Sequence, residues 1–356
     1  MTPLASRRVL AAACVVLCAC GELQPAVRLP AAHPSAPAAA APTTQDIGLG
    51  GGWDRSLAGL RTQDQRVADV AYRIVTASVA LCADQAPQAG LVLQNALEYS
   101  PRLRAAAKAA LHLDDRPAVE AIAASSPAAL AGVQPDDVLL AIDDQPLPLP
   151  SASQAPGRPD ARPATYAPIE AAQARLTEAL RGGGATITLR RGDATLRLGI
   201  VGQPGCAYDA QVLPGPRLSA SADGRHVFIS AALVDYARSD DMLALVLGHE
   251  FAHDVLRHRQ RLDQVGYRAL GDLGSTPASL RLAEKEADYV GLYLTARAGY
   301  DISQAPQFWR RFPDADGDLS WSHPGAAERA ASLAATRDEI LGKLKSGQPL
   351  LPNSIG

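Results

Sequence analysis

The stretch LVLGHEFAHDVLRH, residues 245–258, sets two histidines and a glutamate at fixed spacing inside an otherwise apolar run. Residues four apart on a helix share a face, so His249 and His253 present two imidazoles about one turn apart. Imidazoles placed this way suit two corners of a tetrahedral zinc site. Glu250 is displaced around the helix, where it can reach a water on the metal without ligating the metal itself. The chemistry this suggests is hydrolysis: the ion acidifies water and polarises a carbonyl, and the carboxylate acts as general base. The plain alternative is a helix whose core histidines are hydrogen-bonded, and the flanking ALVLG run makes it the weaker reading.

Two histidines do not complete such a site, because a catalytic zinc takes three protein ligands and keeps one position open. The metzincin pattern would need glycine at position 256 and histidine at 259, and the chain has Leu256 and Arg259. His258, nine residues past His249, falls on the opposite face of a continued helix and reads as a surface residue. Without any Cys-x-x-Cys pair, cysteine is a poor ligand candidate. What remains is a glutamate on a later helix. In EKEADYVG, Glu284, Asp288 and Gly291 recur at four and three and share a face, while Glu286 points elsewhere. Asp314, Asp316 and Asp318 alternate in DADGDLS, but Gly317 is not at the position an EF-hand needs and no glutamate closes the loop, so this segment reads as a loop near the active site.

The elements that must position these residues follow from periodicity and punctuation. Ser239 or Asp240 caps the helix carrying His249, and Pro277 and Gly299 bracket the helix carrying Glu284. Before them, LSASADGRHVFISAAL reads as two strands around a turn at ADG. After them, DISQAPQFWRRF begins a third helix and GAAERAASLAATRDEILGKL forms a closing one. Far upstream, Leu57, Leu60, Val67, Val70, Ala71, Ile74 and Val75 recur at threes and fours, predicting a helix from an Asp54 cap to near Cys82. Between the two parts, residues 105–203 alternate strands and short helices around the strand Val138–Ile142, a Pro-rich excursion and the amphipathic helix Ile169–Leu180.

With 356 residues, 47% hydrophobic and 20% charged, the chain can build about two ordinary cores. A net charge of −3 with no basic excess excludes nucleic acid as the expected partner. The first residues, MTPLASRRVLAAACVVLCAC, pair Arg7 and Arg8 with an apolar run of about a dozen residues, too short for a spanning helix of roughly 20. LCAC at Leu17–Cys20 resembles a bacterial lipobox, which implies lipidation of Cys20; a plain secretory signal is the alternative, and Cys14 also follows small residues. The Pro/Ala-rich segment up to residue 52 reads as a tether. Cys82 and Cys206 are then the remaining pair, expected to form a disulfide in an oxidising compartment, the alternative being two separate buried thiols.

Two family resemblances complete the reading. SSPAALAGVQPDDVLLAIDDQPL, residues 125–147, resembles a PDZ domain, with Pro135-Asp136 where that family has its second glycine. A PDZ fold captures a peptide C-terminus by strand addition; the alternative is a small α/β insertion that packs or positions. HEFAH followed by EKEAD resembles the gluzincin metallopeptidases related to the CAAX prenyl protease, HtpX, Oma and BepA. That resemblance, over about Leu218–Arg329, implies one Zn2+ per chain on His249, His253 and Glu284, with Asp288 orienting a ligand. It implies a substrate-pairing strand at Leu218, Ser219, Ala220, Ser221 and Ala222, although Ser219 and Asp223 replace the family's usual Asn and Pro. SWSHPGAAER matches a further family segment, making His323 a removable zinc ligand, a substrate-carbonyl contact or merely a cap, and Arg329 a candidate for transition-state stabilisation.

The fold class expected is α+β: a mainly helical zincin-type metallopeptidase with a small β-sheet and an inserted PDZ-like α/β module. The divisions are a lipoprotein signal at 1–19, a tether at 20–52, the peptidase's N-terminal helical part at 53–104, the PDZ-like module at 105–203, the zinc peptidase at 204–345 and a tail at 346–356. The expected function is a zinc endopeptidase acting on misfolded or stalled envelope proteins, anchored by lipid on Cys20 in a bacterial envelope and facing the periplasm, at the outer membrane. The competing function is a PDZ-bearing scaffold or chaperone lipoprotein without proteolysis.

Overall fold

The computed structural model describes residues 53–148, 165–264, 277–312 and 325–353. The signal, the tether with Cys20, and His323 all lie outside the described residues. Helix α1 (Trp53–Ala77) buries all seven apolar residues that the three-and-four spacing singled out. It is under way at Trp53, one residue before the expected cap, and gives way to a short 3-10 turn at Val79–Leu81 before Cys82.

After α1 come β1 (Gln85–Gln88), β2 (Leu91–Gln94), α2 (Pro101–Leu111), β3 (Ala118–Ile122), α3 (Pro127–Leu130), β4 (Val138–Ile142) and β5 (Gln145–Pro146). Then follow α4 (Ala167–Arg181), β6 (Ala185–Arg191) and β7 (Ala194–Ile200). One antiparallel sheet runs in the order β2-β3-β4-β6-β7, with β5 beside β4. Helix α4 buries Ile169, Ala172, Leu176 and Leu180 in the core of this sheet. The first strand of the sheet lies upstream of residue 105, in the span expected to be helical. Asp136 adopts φ +68°, a left-handed conformation that glycine supplies most readily, at the place where the PDZ pattern has one.

β8 (Gln203–Cys206) returns antiparallel to β1, with Gln85 opposite Cys206, so the two strands that flank β2–β7 form one ribbon. Cys82 and Cys206 meet there with disulfide geometry, their Cα atoms 5.5 Å apart.

Beyond the ribbon, β9 (Asp209–Leu213), β10 (Ala220–Ala222) and β11 (His226–Ser230) form a sheet in the order β10-β11-β9. β10 and β11 are the antiparallel pair expected around ADG, turned at Gly224, whose φ of +103° requires glycine-like freedom. β9 lies parallel to β11 on its other side, leaving β10 as an edge among the described strands. The remaining elements are α5 (Ala231–Tyr236), α6 (Asp240–Val255), α7 (His258–Gln264), α8 (Pro277–Arg297), α9 (Ala305–Arg311) and α10 (Ala326–Ser346). A single core joins α1 to α6, α8, α9 and α10: Val70, Ile74, Leu243, Leu247, Phe251, Val290, Leu294, Trp309 and Leu333 belong to one buried cluster. Among the described residues no helix is long and apolar enough to cross a membrane.

Candidate metal centre

Helix α6 starts at Ser239, whose side chain accepts from Met242 N, with Asp240 and Asp241 in its first turn. Apart from its polar start it is buried nearly all round, which places His249 and His253 inside the protein rather than on its surface. Helix α8 crosses α6 where glycine meets glycine. A Cβ on Gly291 would stand 2.8 Å from Gly248 O and from His249 N, distances that real side chains do not occupy. The pair brings the two backbones together, and Glu284, two turns before Gly291, comes level with both imidazoles.

The resulting ligand atoms form a tight triangle. His249 Nε2 lies 3.3 Å from His253 Nε2 and 3.3 Å from a Glu284 oxygen, and His253 Nε2 is 3.6 Å from the other oxygen. Donors about 2.0–2.1 Å from a tetrahedral ion stand about 3.3–3.4 Å apart, so the observed spacings fit a single divalent ion. Among the described residues these three are the one group of histidine, cysteine or carboxylate side chains close enough together to hold a metal.

Each histidine turns its other nitrogen to a partner. His249 Nδ1 meets Asp288 Oδ1 at 3.0 Å, and Arg329 grips the same carboxylate through Nε and Nη2 at 2.6–3.1 Å. The Arg329 guanidinium in turn lies 3.6 Å over the Trp309 ring. Burial works against charge on Asp288, yet Arg329 and His249 hold its carboxyl below the usual range. Burial likewise opposes protonation of His249, but Asp288 and Glu284 outweigh it and lift the imidazole to about 10. His253 goes the other way, down to about 3, through burial and the neighbouring His249 charge. Glu250 sits beside the pair, partly buried; desolvation lifts it to about 7, with Glu284 adding to the rise and His249 and Arg329 opposing it.

The remaining residues fall into place unevenly. The structure sets Arg329 on the Asp288 carboxylate behind His249, on the side away from Nε2. Leu218 and Ser219 lead into β10, where Ala220, Ser221 and Ala222 form the edge strand against α6. Ser219 is tied to β11 through Ser230, by Ser219 N donating to Ser230 Oγ and Ser230 N donating to Ser219 O. Asp254, one residue past His253, accepts from Gly224 N at 2.8 Å and so fastens the β10–β11 turn to the metal-site helix.

His258 corrects the surface reading. Helix α6 stops at Val255, Arg257 takes φ +53°, and α7 begins at His258, so His258 is not on the continued helix from which its outward position was inferred. It is 2% exposed, with Nδ1 2.9 Å from His253 Nδ1 and Nε2 2.9 Å from Glu286. Glu286, which periodicity aimed away from the ligands, points at this histidine and at Arg261. Residue types alone gave no sign of the break, since arginine is not a left-handed former.

Two imidazoles from one helix, a carboxylate from the next and a second carboxylate beside them make a candidate metal centre of the kind a zincin-type metallopeptidase uses. Residues 198–269 and 268–337 match the model of peptidase family M48. Over 153 residues the chain is 31% identical to the mitochondrial metalloendopeptidase OMA1 of Arabidopsis thaliana, covering 36% of this chain and 32% of that protein. The OMA1 of Saccharomyces cerevisiae is 30% identical over 165 residues, covering 38% and 45%. A putative beta-barrel assembly-enhancing protease of Vibrio cholerae is 29% identical over 121 residues, covering 26% and 25%. The chain thus spans less than half the length of these relatives.

Proposed function

We propose that the chain is a zinc-dependent endopeptidase of the bacterial envelope, held by lipid on Cys20 at the outer membrane with its catalytic part facing the periplasm. The observation that carries the catalytic reading is the triangle of His249, His253 and Glu284 with Glu250 alongside. The first three would hold the ion, which when bound supplies an acidified water and a Lewis acid for the scissile carbonyl. Glu250, poised near neutrality, takes the proton from the attacking water and delivers it to the leaving amine. The free edge of β10 aligns an extended substrate by backbone pairing, and Asp254 keeps that edge in fixed relation to α6. Backbone pairing reads little of the side chains, which suits misfolded or stalled envelope proteins as the substrate class. His323 is proposed to approach the same centre, as a removable ligand or a contact to the substrate carbonyl.

The inserted module offers β2 as the outer strand of its sheet with α4 packed nearby, an arrangement suited to a peptide C-terminus. Cys82 and Cys206 are proposed to be a disulfide at the root of this module. A scaffold without proteolysis is not favoured: the grouping of His249, His253 and Glu284, with Asp288 and Arg329 behind His249, supports the enzyme reading.

The test is metal analysis of the purified full chain together with cleavage of an unfolded protein, with and without chelator. One zinc per chain, chelator-sensitive cleavage, and a Glu250→Gln variant that keeps its metal but does not cleave are expected. Cleavage by Glu250→Gln at the parent's rate would remove Glu250 from its role, and a metal-free, inactive parent would remove the enzyme reading altogether.

A further inference from the structure

We infer that His258 is a positioning residue for the metal centre: through Glu286 and Arg261 it fixes the tautomer and ring orientation of His253. The inference rests on the proposed metal site and extends it outward along a chain of hydrogen bonds.

The direction of every proton in that chain follows from geometry. His253 turns Nε2 toward His249 Nε2 and Glu284, so Nε2 must carry the lone pair that would face an ion. A neutral imidazole has one N–H, so His253 must carry its hydrogen on Nδ1 and donate it. The atom 2.9 Å from that Nδ1 is His258 Nδ1, which must therefore accept. With Nδ1 accepting, His258 carries its own hydrogen on Nε2 and donates to Glu286 Oε2 at 2.9 Å. Glu286 is held in turn by Arg261 Nη1 at 2.7 Å. With both imidazoles neutral, one arrangement of hydrogens satisfies the His253–His258–Glu286 contacts, and it leaves His253 Nε2 bare.

The two ligand histidines are thus supported in matching fashion. Behind His249 stand Asp288 and Arg329; behind His253 stand His258, Glu286 and Arg261. In each case the imidazole donates to an acceptor, and a carboxylate–arginine pair closes the chain. The difference is that His253 reaches its carboxylate through a neutral ring. The edge-on packing of His258 against His253, with ring centroids 4.9 Å apart, also limits rotation of the ligand ring. Arg257 makes this possible. Its left-handed backbone breaks the helix and returns His258 beside His253, and its guanidinium is clamped on both oxygens of Asp84 at 2.9 Å, across from another part of the chain.

Removing a partner of this kind typically costs about 10–100-fold in metal affinity. The test compares zinc affinity of the full chain by competition with a chromogenic chelator, and the visible spectrum of the cobalt(II)-loaded protein, in the parent, His258→Leu, His258→Asn and Glu286→Gln. His258→Leu, which removes the acceptor, should bind zinc about 10–100-fold more weakly and shift the cobalt bands. His258→Asn, whose side-chain oxygen can take the place of Nδ1, should recover part of that loss and a parent-like spectrum. Glu286→Gln should fall between the parent and His258→Leu, and it keeps the comparison available if His258→Leu does not fold. A merely structural histidine would lower the melting temperature while leaving affinity and spectrum unchanged. Parent-like affinity in His258→Leu, or an equal loss in His258→Asn and His258→Leu, overturns the inference. A parent chain that binds no zinc refutes the metal site instead, so the two failures are distinct.

Discussion

Gly248 and Gly291 face each other across α6 and α8 with no room for a methyl group on either. A Cβ on Gly248 would lie 2.7 Å from Gly291 O and 2.4 Å from Thr295 Oγ1. Thr295 completes the contact by donating to Ala244 O at 3.0 Å, across the helix pair. The spacing of the candidate ligands is set here, because His249 follows Gly248 directly and Glu284 lies on the same face of α8 as Gly291.

Gly291→Ala should therefore damage the centre without touching any ligand. Its methyl meets backbone atoms, which cannot swing aside, so α6 and α8 must separate. Overpacking of this kind costs about 1–3 kcal/mol, and the ligand triangle should open with it. The expected result is a lower melting temperature together with lower zinc content by elemental analysis. Full zinc content with reduced stability would show that the centre tolerates the separation.

A second prediction concerns three carboxyl groups where α1 packs near β3: Asp64, Glu98 and Glu120. Burial raises Asp64 and Glu98 well above the ordinary range and raises Glu120 as well. Glu120 adds to the shift of Asp64 and Arg61 opposes it, while the hydrogen bond from Asp64 favours the ionised form of Glu120. With folded pKa values above unfolded ones, the native state holds more protons. The stability these groups contribute is present below about pH 4, the unfolded carboxylate value, and is lost as pH rises through the raised folded values. Asp64→Asn keeps a donor for Glu120 and removes one of the groups that must ionise. Its melting temperature should exceed the parent's at neutral pH, and the gap should close toward pH 4. A gap independent of pH would mean that Asp64 is not protonated in the fold.

That His249, His253 and Glu284 come together was legible from local signals: one helical turn separates the two histidines, and the resemblance of EKEAD to a family motif singled out Glu284 and Asp288. The seven apolar positions of α1 were legible for the same reason. His258 was not, because its place depends on where α6 ends, and the break falls on Arg257, a residue with no intrinsic preference for a left-handed backbone. β2 escaped because four residues give too short a run for alternation to show, and its place in the sheet is set by pairing with β3, more than twenty residues later. The role of Gly248 also lay beyond the sequence, since a glycine inside a helix shows its purpose only when the facing backbone is known.

The paired cysteines give a third prediction. Cys82 and Cys206 are 124 residues apart, and closing so long a loop restricts the unfolded chain by an amount that chain-entropy arguments put near 4–5 kcal/mol, with measured effects nearer 2–4. Replacing both by serine should lower the melting temperature of the oxidised protein while leaving chelator-sensitive cleavage measurable, because neither cysteine lies in the metal centre. Peptide mapping of non-reduced protein should recover the two cysteines in one cross-linked species. Two free thiols would leave the β1–β8 ribbon held by its backbone pairing alone.

Arg329 separates a positioning role from a catalytic one. It is buried on Asp288 and the Trp309 ring, so Arg329→Met leaves the buried Asp288 carboxylate with His249 but without its arginine, and breaking a buried pair typically destabilises by about 3–5 kcal/mol. If the guanidinium acts through Asp288 and His249, activity should fall in step with zinc occupancy, and added zinc should restore part of it in whatever protein remains folded. Urea unfolding, zinc titration and initial rates on one preparation measure the three effects together. A folded, fully zinc-loaded Arg329→Met that has still lost its kcat would place the guanidinium on the reacting atoms, contrary to the hydrogen bonds that hold it behind His249.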